Sequence, residues 1–226
     1  MRPGIFLFSI ILGAFLFSGT GCSKSDTLSP PVTDSEGNTY KTVRIGDQTW
    51  MAENLKTTEF SDGTSIPVVS DTSAWSALVS PGVCWYNNKG DSIREIYGAL
   101  YNFYAAASGK LCPSGWHVPS DVDMQMLLNF LGDTLTGGGS LKEKGTAHWK
   151  TPNTGAVNNT GFTALPAGIR YFEGSFSSLS WFTSFWSSTE YDTGKGWYLR
   201  LYYGDAAAQM NTASKKDGFS IRCMKN

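Results

Sequence analysis

The sequence predicts a single, loop-rich α+β domain with two helices and short, mostly antiparallel strands. Three observations carry that expectation. Glycine supplies 25 of the 226 residues and aromatic residues make up 14% of the chain, a mix that suits short strands joined by turns better than a helical bundle. Two C-terminal segments, 197–203 and 219–224, alternate their side chains with the period of a strand. One segment places Met124, Leu127, Leu128 and Leu131 at the i, i+3, i+4, i+7 spacing of a buried helix face. A hydrophobic content of 41% against 16% charged residues excludes a disordered chain. With 18 basic and 19 acidic residues the net charge is −1 and no basic stripe is visible, so a nucleic-acid partner is not expected.

The chain opens with Arg2, an apolar run from Ile5 to Phe17, and the small residues Ser18 to Gly21. As a helix that run would reach about 20 Å, against a hydrocarbon core of ~30 Å, so residues 1–21 read as a secretory signal peptide rather than a membrane span. Leu16-Phe17 followed by Ser18-Gly19-Thr20-Gly21-Cys22 resembles a bacterial lipoprotein signal peptide. That resemblance implies cleavage before Cys22 and lipidation of Cys22. Acyl chains at ~0.8 kcal/mol per buried methylene hold a protein on a membrane persistently. The expected location is the cell envelope after export, at the outer membrane. Residues 22–33, with Pro30-Pro31, read as a linker, and residues 34–226 as the domain.

Within the domain, Tyr40, Val43 and Ile45, then Gly46-Asp47, then Gln48 to Met51 read as a hairpin with a two-residue turn. Residues 58–83 read as irregular, with turns at Asp62-Gly63 and Pro81-Gly82. The segment from Tyr97 to Ala107 is rich in Ala, Tyr and Leu and reads as the first helix. Ser120 is the expected N-cap of the second, with Asp121 and Asp123 in its first turn, where the helix dipole favours acids, and Gly132 at its end. Gly137-Gly138-Gly139 reads as a loop. Trp197, Leu199, Leu201 and Tyr203 are expected to face inward, leaving Tyr198 and Tyr202 outward. Gly204-Asp205 is a turn, and Phe219, Ile221 and Cys223 share one face of a last strand.

Signatures of catalysis are missing from the sequence: there is no G-x-S-x-G, no H-E-x-x-H and no P-loop. The two histidines are His117, just before a helix cap, and His148. Asp121-x-Asp123 is too short for an EF-hand loop, so neither a metal nor a cofactor is expected. Of the four cysteines, Cys84, Cys112 and Cys223 remain if Cys22 is lipidated, enough for one bridge and one leftover thiol. What stands out is aromatic: Trp181, Phe182, Phe185, Trp186, Tyr191, Trp197, Tyr198, Tyr202 and Tyr203 crowd one stretch, with Glu190 and Asp192 beside Tyr191. Aromatic faces stack on sugar rings and anchor protein interfaces. The candidate ligand-binding residues are therefore Trp181, Glu190, Tyr191, Asp192, Tyr198 and Tyr202.

Several blocks together resemble one family. They are Glu36 to Tyr40, Ile45 to Lys56, Tyr97 to Asn102, Leu111 to Asp121, Gly161 to Gly168, Trp186 to Thr189 and Ile221 to Cys223. In that order they look like the Fibrobacter succinogenes major paralogous domain, over almost the whole of residues 34–226. The resemblance implies a C-type-lectin-like fold related to the formylglycine-generating enzymes, on exported and often lipid-anchored proteins. It implies a disulfide between Cys112 and Cys223, with Cys84 left over as a buried thiol. The paired C-terminal cysteines of the formylglycine-generating enzymes are not matched, nor are the Glu-Pro-Asn or Gln-Pro-Asp calcium motifs of lectins. The expected function is that of a non-catalytic envelope lipoprotein binding carbohydrate or protein. The alternatives are an enzyme of the formylglycine-generating type and a structural envelope protein with no discrete ligand.

Overall fold

The computed structural model describes Met1 and residues 28–226. The expected signal peptide (1–21) and lipidated Cys22 lie outside the described residues. Strand β1 (Leu28–Thr33) corrects the expected linker, because residues 28–33 pair antiparallel with β2 (Thr39–Ile45). Pro30 and Pro31 sit where the register shifts between Ser29 and Val32. A shifted edge strand tolerates residues that have no N–H to give. Gly46-Asp47 then turns β2 into β3 (Gln48–Met51), as the sequence predicts.

The 58–83 stretch is mostly irregular but contains α1 (Thr72–Ala77), capped by the Asp71 side chain and anchored by buried Trp75, and it ends in β4 (Val83–Cys84). The helix expected over 97–107 does not form as one element. The chain instead runs α2 (Asp91–Tyr97), β5 (Leu100–Tyr101) and α3 (Phe103–Ala106). Gly98 breaks it: its φ is +73°, and a Cβ there would stand 2.6 Å from that of Asn54. Beyond it, the Ala99 and Tyr101 N–H groups donate to Leu55 O and Phe219 O rather than to a helical turn. Non-local pairing overrides local propensity here.

After β6 (Trp116–His117) comes α4 (Asp121–Leu131), the predicted second helix. Ser120 and Asp123 form a reciprocal capping box, and Met124, Leu127 and Leu128 are buried. The triple-glycine segment is not simply a loop, since α5 (Gly138–Leu141) lies in it. A Cβ on Gly138 would sit 2.2 Å from the Ala207 carbonyl oxygen, so the two backbones touch where no larger residue fits. Five helices are present among the described residues, against two expected. The short pair β7 (Ile169–Arg170) and β8 (Phe176–Ser177) leads to β9 (Phe182–Glu190), β10 (Lys195–Tyr202), β11 (Ala208–Ser214) and β12 (Met224–Lys225).

Two sheets organise the domain. One has the order β1-β2-β3-β12-β6 and the other β11-β10-β9, all antiparallel. Strand β9 has core on both sides: Trp186 belongs to the cluster around Tyr101, Phe219 and Ile221, and Phe185 to the cluster around Leu127, Leu128 and Leu201. That arrangement corrects the inward and outward assignment of β10. Leu199 and Leu201 are buried as expected, but Tyr198 packs against Trp186 and Phe219 instead of facing solvent. The C-terminal run is buried on both faces too, Ser220 and Arg222 included. Its regular ladder is confined to Met224–Lys225. The Cys112–Cys223 disulfide is present and buried within the first cluster. Cys84 is free and buried, and burial pushes its thiol up to about 12. No helix among the described residues is long and apolar enough to cross a membrane.

Candidate functional site

A groove of about 960 Å³ opens beside β2, within the size range of small-ligand sites. Strand β2 forms one wall with Lys41 and Val43, and the 158–163 loop forms the other. Ile96 and Phe130 stand on its border, 47% and 60% exposed. Four bases line it, Lys41, Arg44, Lys56 and the buried Arg222, with three acids, Glu53, Glu95 and Glu143. Several of these charges are already engaged. Lys56 Nζ lies 2.5 Å from Glu95 Oε2, and Glu53 Oε2 accepts the backbone N–H of Lys41 at 2.7 Å. His148 Nδ1 lies 2.9 and 3.0 Å from the two oxygens of Glu143.

The 158–163 wall is held in a conformation that L-residues avoid. Asn158 has φ +50° and Thr163 has φ +53°. For a β-branched residue such as Thr163 this is a genuine outlier, of order 1–3 kcal/mol. Two interactions impose it. The Asn158 side chain clamps Thr163, accepting its N–H at 2.9 Å and donating to its hydroxyl at 2.9 Å. From behind, the buried guanidinium of Arg222 donates to the carbonyls of Phe162 and Thr163 at 2.5 and 3.0 Å. The same guanidinium donates to Asn54 Oδ1 at 2.6 Å and to the Met51 carbonyl at 3.2 Å, tying the loop to the end of β3. It also lies 4.6 Å from the Phe162 ring. A ligand entering the groove therefore meets a rigid wall of amide and hydroxyl groups.

The predicted site residues do not line this groove, and they do not form one site. They split to the two ends of the β9–β10 hairpin, eight residue steps or ~26 Å apart. At one end Tyr202 stacks on Phe182 at 4.6 Å, and Trp181, 42% exposed, meets Tyr203 edge-on at 5.4 Å. The Lys150 ammonium occupies a face of Trp181 at 3.6 Å. At the other end Tyr191 is 54% exposed and meets Trp197 edge-on. Glu190 pairs with Lys215 at 2.8 Å, and Asp192 accepts the Gly194 N–H at 2.8 Å, so both carboxylates serve the hairpin turn. Tyr198, midway along β10, is partly buried against the core, and burial raises its pKa.

The histidines also find partners that the sequence hides. His117 lies 2.7 Å from Asn226 Oδ1 and 3.4 Å from the capping carboxylate of Asp123. No group of three His, Cys, Asp or Glu residues is placed to hold a metal ion among the described residues.

Residues 43–225 match the Fibrobacter succinogenes major domain. The chain belongs to that family. No curated protein and no solved structure matches it. The family match covers the groove apart from residues 39–42 of β2. Three blocks that carry the resemblance, those containing Asn54, Phe162-Thr163 and Arg222, converge on one guanidinium. The signal available in the sequence was Arg222 itself. An arginine inside an apolar C-terminal strand pattern has to find acceptors, and the blocks name where they lie.

Proposed function

We propose that this family member is a non-catalytic binding module of the cell envelope, anchored through Cys22, and that its ligand lies in the groove between β2 and the 158–163 loop. The observation that carries the reading is the strained, doubly clamped loop wall. Backbone strain held by a buried cation and a side-chain clamp costs stability and gives a pre-set binding surface in return. The lining favours a polyhydroxylated ligand such as a glycan, because amides and hydroxyls such as those of Asn158, Asn159 and Thr160 stand beside apolar surface. Phe130 and Ile96 supply exposed apolar surface at the border, where a sugar ring stacks. A C-type-lectin-like scaffold is consistent with this role. The non-catalytic reading draws support from Cys84, whose thiol is buried and far from its reactive form, and from Cys112, which is consumed in the bridge.

A glycan array followed by calorimetry tests the proposal. Asn159→Ala and Phe130→Ala should each weaken binding about tenfold, the loss of roughly 1.4 kcal/mol, without moving the melting temperature. If binding survives both changes but is lost in Tyr202→Ala, the aromatic end of β9–β10 is the seat and the groove is not.

A further inference from the structure

Strand β11 has an open outer edge. On β10, the Tyr203 N–H just past its end donates to Trp181 O, so odd-numbered residues bond toward β9 and even-numbered ones toward β11. The register Tyr198↔Asn211 and Arg200↔Gln209 then turns Gln209, Asn211 and Ala213 toward β10. Ala208, Met210, Thr212 and Ser214 are left with their backbone groups facing out. That edge is closed at Ser214 and half-closed at Ala208. The Ala208 N–H donates to Thr134 O at 2.8 Å, the Ser214 N–H to Asp217 Oδ2 at 3.1 Å, and the Ser214 carbonyl accepts the Asp217 N–H at 2.8 Å. In the middle, Met210 and Thr212 each keep an N–H and a C=O with no partner among the described residues.

The other edges are protected. Strand β1 carries Pro30-Pro31 at a register shift, β6 is two residues long, and β9 is covered by bridges from Gly168 and Ser220. Strand β11 has no proline, no charged side chain and no shift in its pairing with β10. An uncharged, regular edge is a template for strand addition. Beside it Trp197 and Met210 line a groove of about 330 Å³ with Val122 and Met126 of α4. Val122, Met126 and Phe130 follow at i, i+4, i+8, at 62%, 52% and 60% exposure, an apolar stripe on a helix whose other face is already buried.

We propose that a second copy of this chain pairs with this edge, β11 against β11, antiparallel about a two-fold axis at Asn211. The open groups are symmetric about that residue, so the strand is complementary to itself. Met210 faces the partner's Thr212 and Thr212 the partner's Met210, which satisfies the four open groups of Met210 and Thr212 in each copy with four main-chain hydrogen bonds. With no charge on either strand, no like charges meet. The pairing joins the two three-stranded sheets into one of six strands, and Val122 and Met126 of the two α4 helices lie on one side of it, where they give the isologous contact apolar area.

Asn211→Cys in the full chain is the test. About that axis residue 211 faces its own copy as a non-hydrogen-bonded pair with Cα atoms ~4.5 Å apart, within disulfide range. Residue 209 lies about four steps, ~13 Å, from its own copy and cannot reach. Under mild oxidation Asn211→Cys should give a reducible dimer above the wild-type background, and Gln209→Cys should not. Adding Thr212→Pro removes an outward N–H and should cut the Asn211→Cys dimer about tenfold. Val122→Lys, at an exposed helix position that leaves folding intact, should weaken wild-type self-association about tenfold by sedimentation. A wild-type chain that stays monomeric at high concentration overturns the proposal. So does equal cross-linking at 209 and 211, or a dimer indifferent to both Thr212→Pro and Val122→Lys.

Discussion

Among the described residues, three cations that are almost wholly buried hold loops of this domain, and each is bonded mainly to backbone carbonyls. Arg222 binds the groove wall. Arg170 donates to the carbonyls of Val69, Ser70, Asp71 and Gly174. Lys142 donates to those of Thr154, Tyr202 and Asp205 at 2.9, 2.9 and 2.6 Å. A loop-rich chain has many carbonyls that no ladder satisfies, and a buried cation serves several at once. Arg222→Met should therefore destabilise by roughly 3–5 kcal/mol in denaturant unfolding, because it orphans several acceptors together. Arg222→Lys should recover only part of that, since an ammonium cannot reproduce the planar fork. Asp217 sets a pH dependence. Burial is the main cause that pushes its carboxyl up to about 7, and its Oδ1 has no partner. The native state holds a proton that the unfolded chain releases near pH 4. The contribution of this group is fully present below that pH and lost as pH rises to 7. Over that range Asp217→Asn should gain on the wild type by roughly 2–4 kcal/mol in stability measured against pH.

At the scale of elements, α4 was the most legible. Its apolar spacing, N-cap and terminal glycine are local signals, and the capping box confirms how local they are. Ser120→Ala should cost about 1 kcal/mol by thermal melt. Strand β10 shows the opposite case. Its alternation was correctly read as a strand, yet Trp197 is only half-buried, at the edge of the α4 groove. The deep aromatic is Trp186, fully buried on β9, with its indole N–H donating to Tyr101 O at 2.9 Å. Trp186→Ala should cost ~3–5 kcal/mol, and Trp197→Ala clearly less, when both are compared by denaturant unfolding. Period-two patterning reports which residues share a face, and it is silent when both faces are covered.

At the scale of the molecule, the Cys112–Cys223 bridge closes a loop of 111 residues. In the chain-entropy picture such a loop contributes up to ~4–5 kcal/mol, so reduction should lower the unfolding midpoint strongly. Anchoring is tested separately. Cys22→Ser should move the protein out of the membrane fraction or leave its precursor uncleaved, and unchanged detergent partitioning would remove the lipoprotein reading.

Local order followed from the sequence alone: the β2–β3 hairpin, helix α4 with both its ends, and the strand character of 197–202. The family blocks added the disulfide pairing. Each of these depends on residues adjacent in the chain or on motifs carried over whole. The groove, the buried cations and the open edge of β11 were decided by tertiary structure. They arise from groups separated by up to 171 positions, as in the contact of Arg222 with Met51. The predicted aromatic residues are dispersed for the same reason. Residues close in sequence along two paired strands lie at opposite ends of the hairpin, because an extended backbone advances ~3.3 Å per residue. The segment 97–107 failed through competition, since its helical propensity of a few tenths of a kcal/mol per residue is outweighed once Leu55 and Phe219 offer carbonyls to its N–H groups.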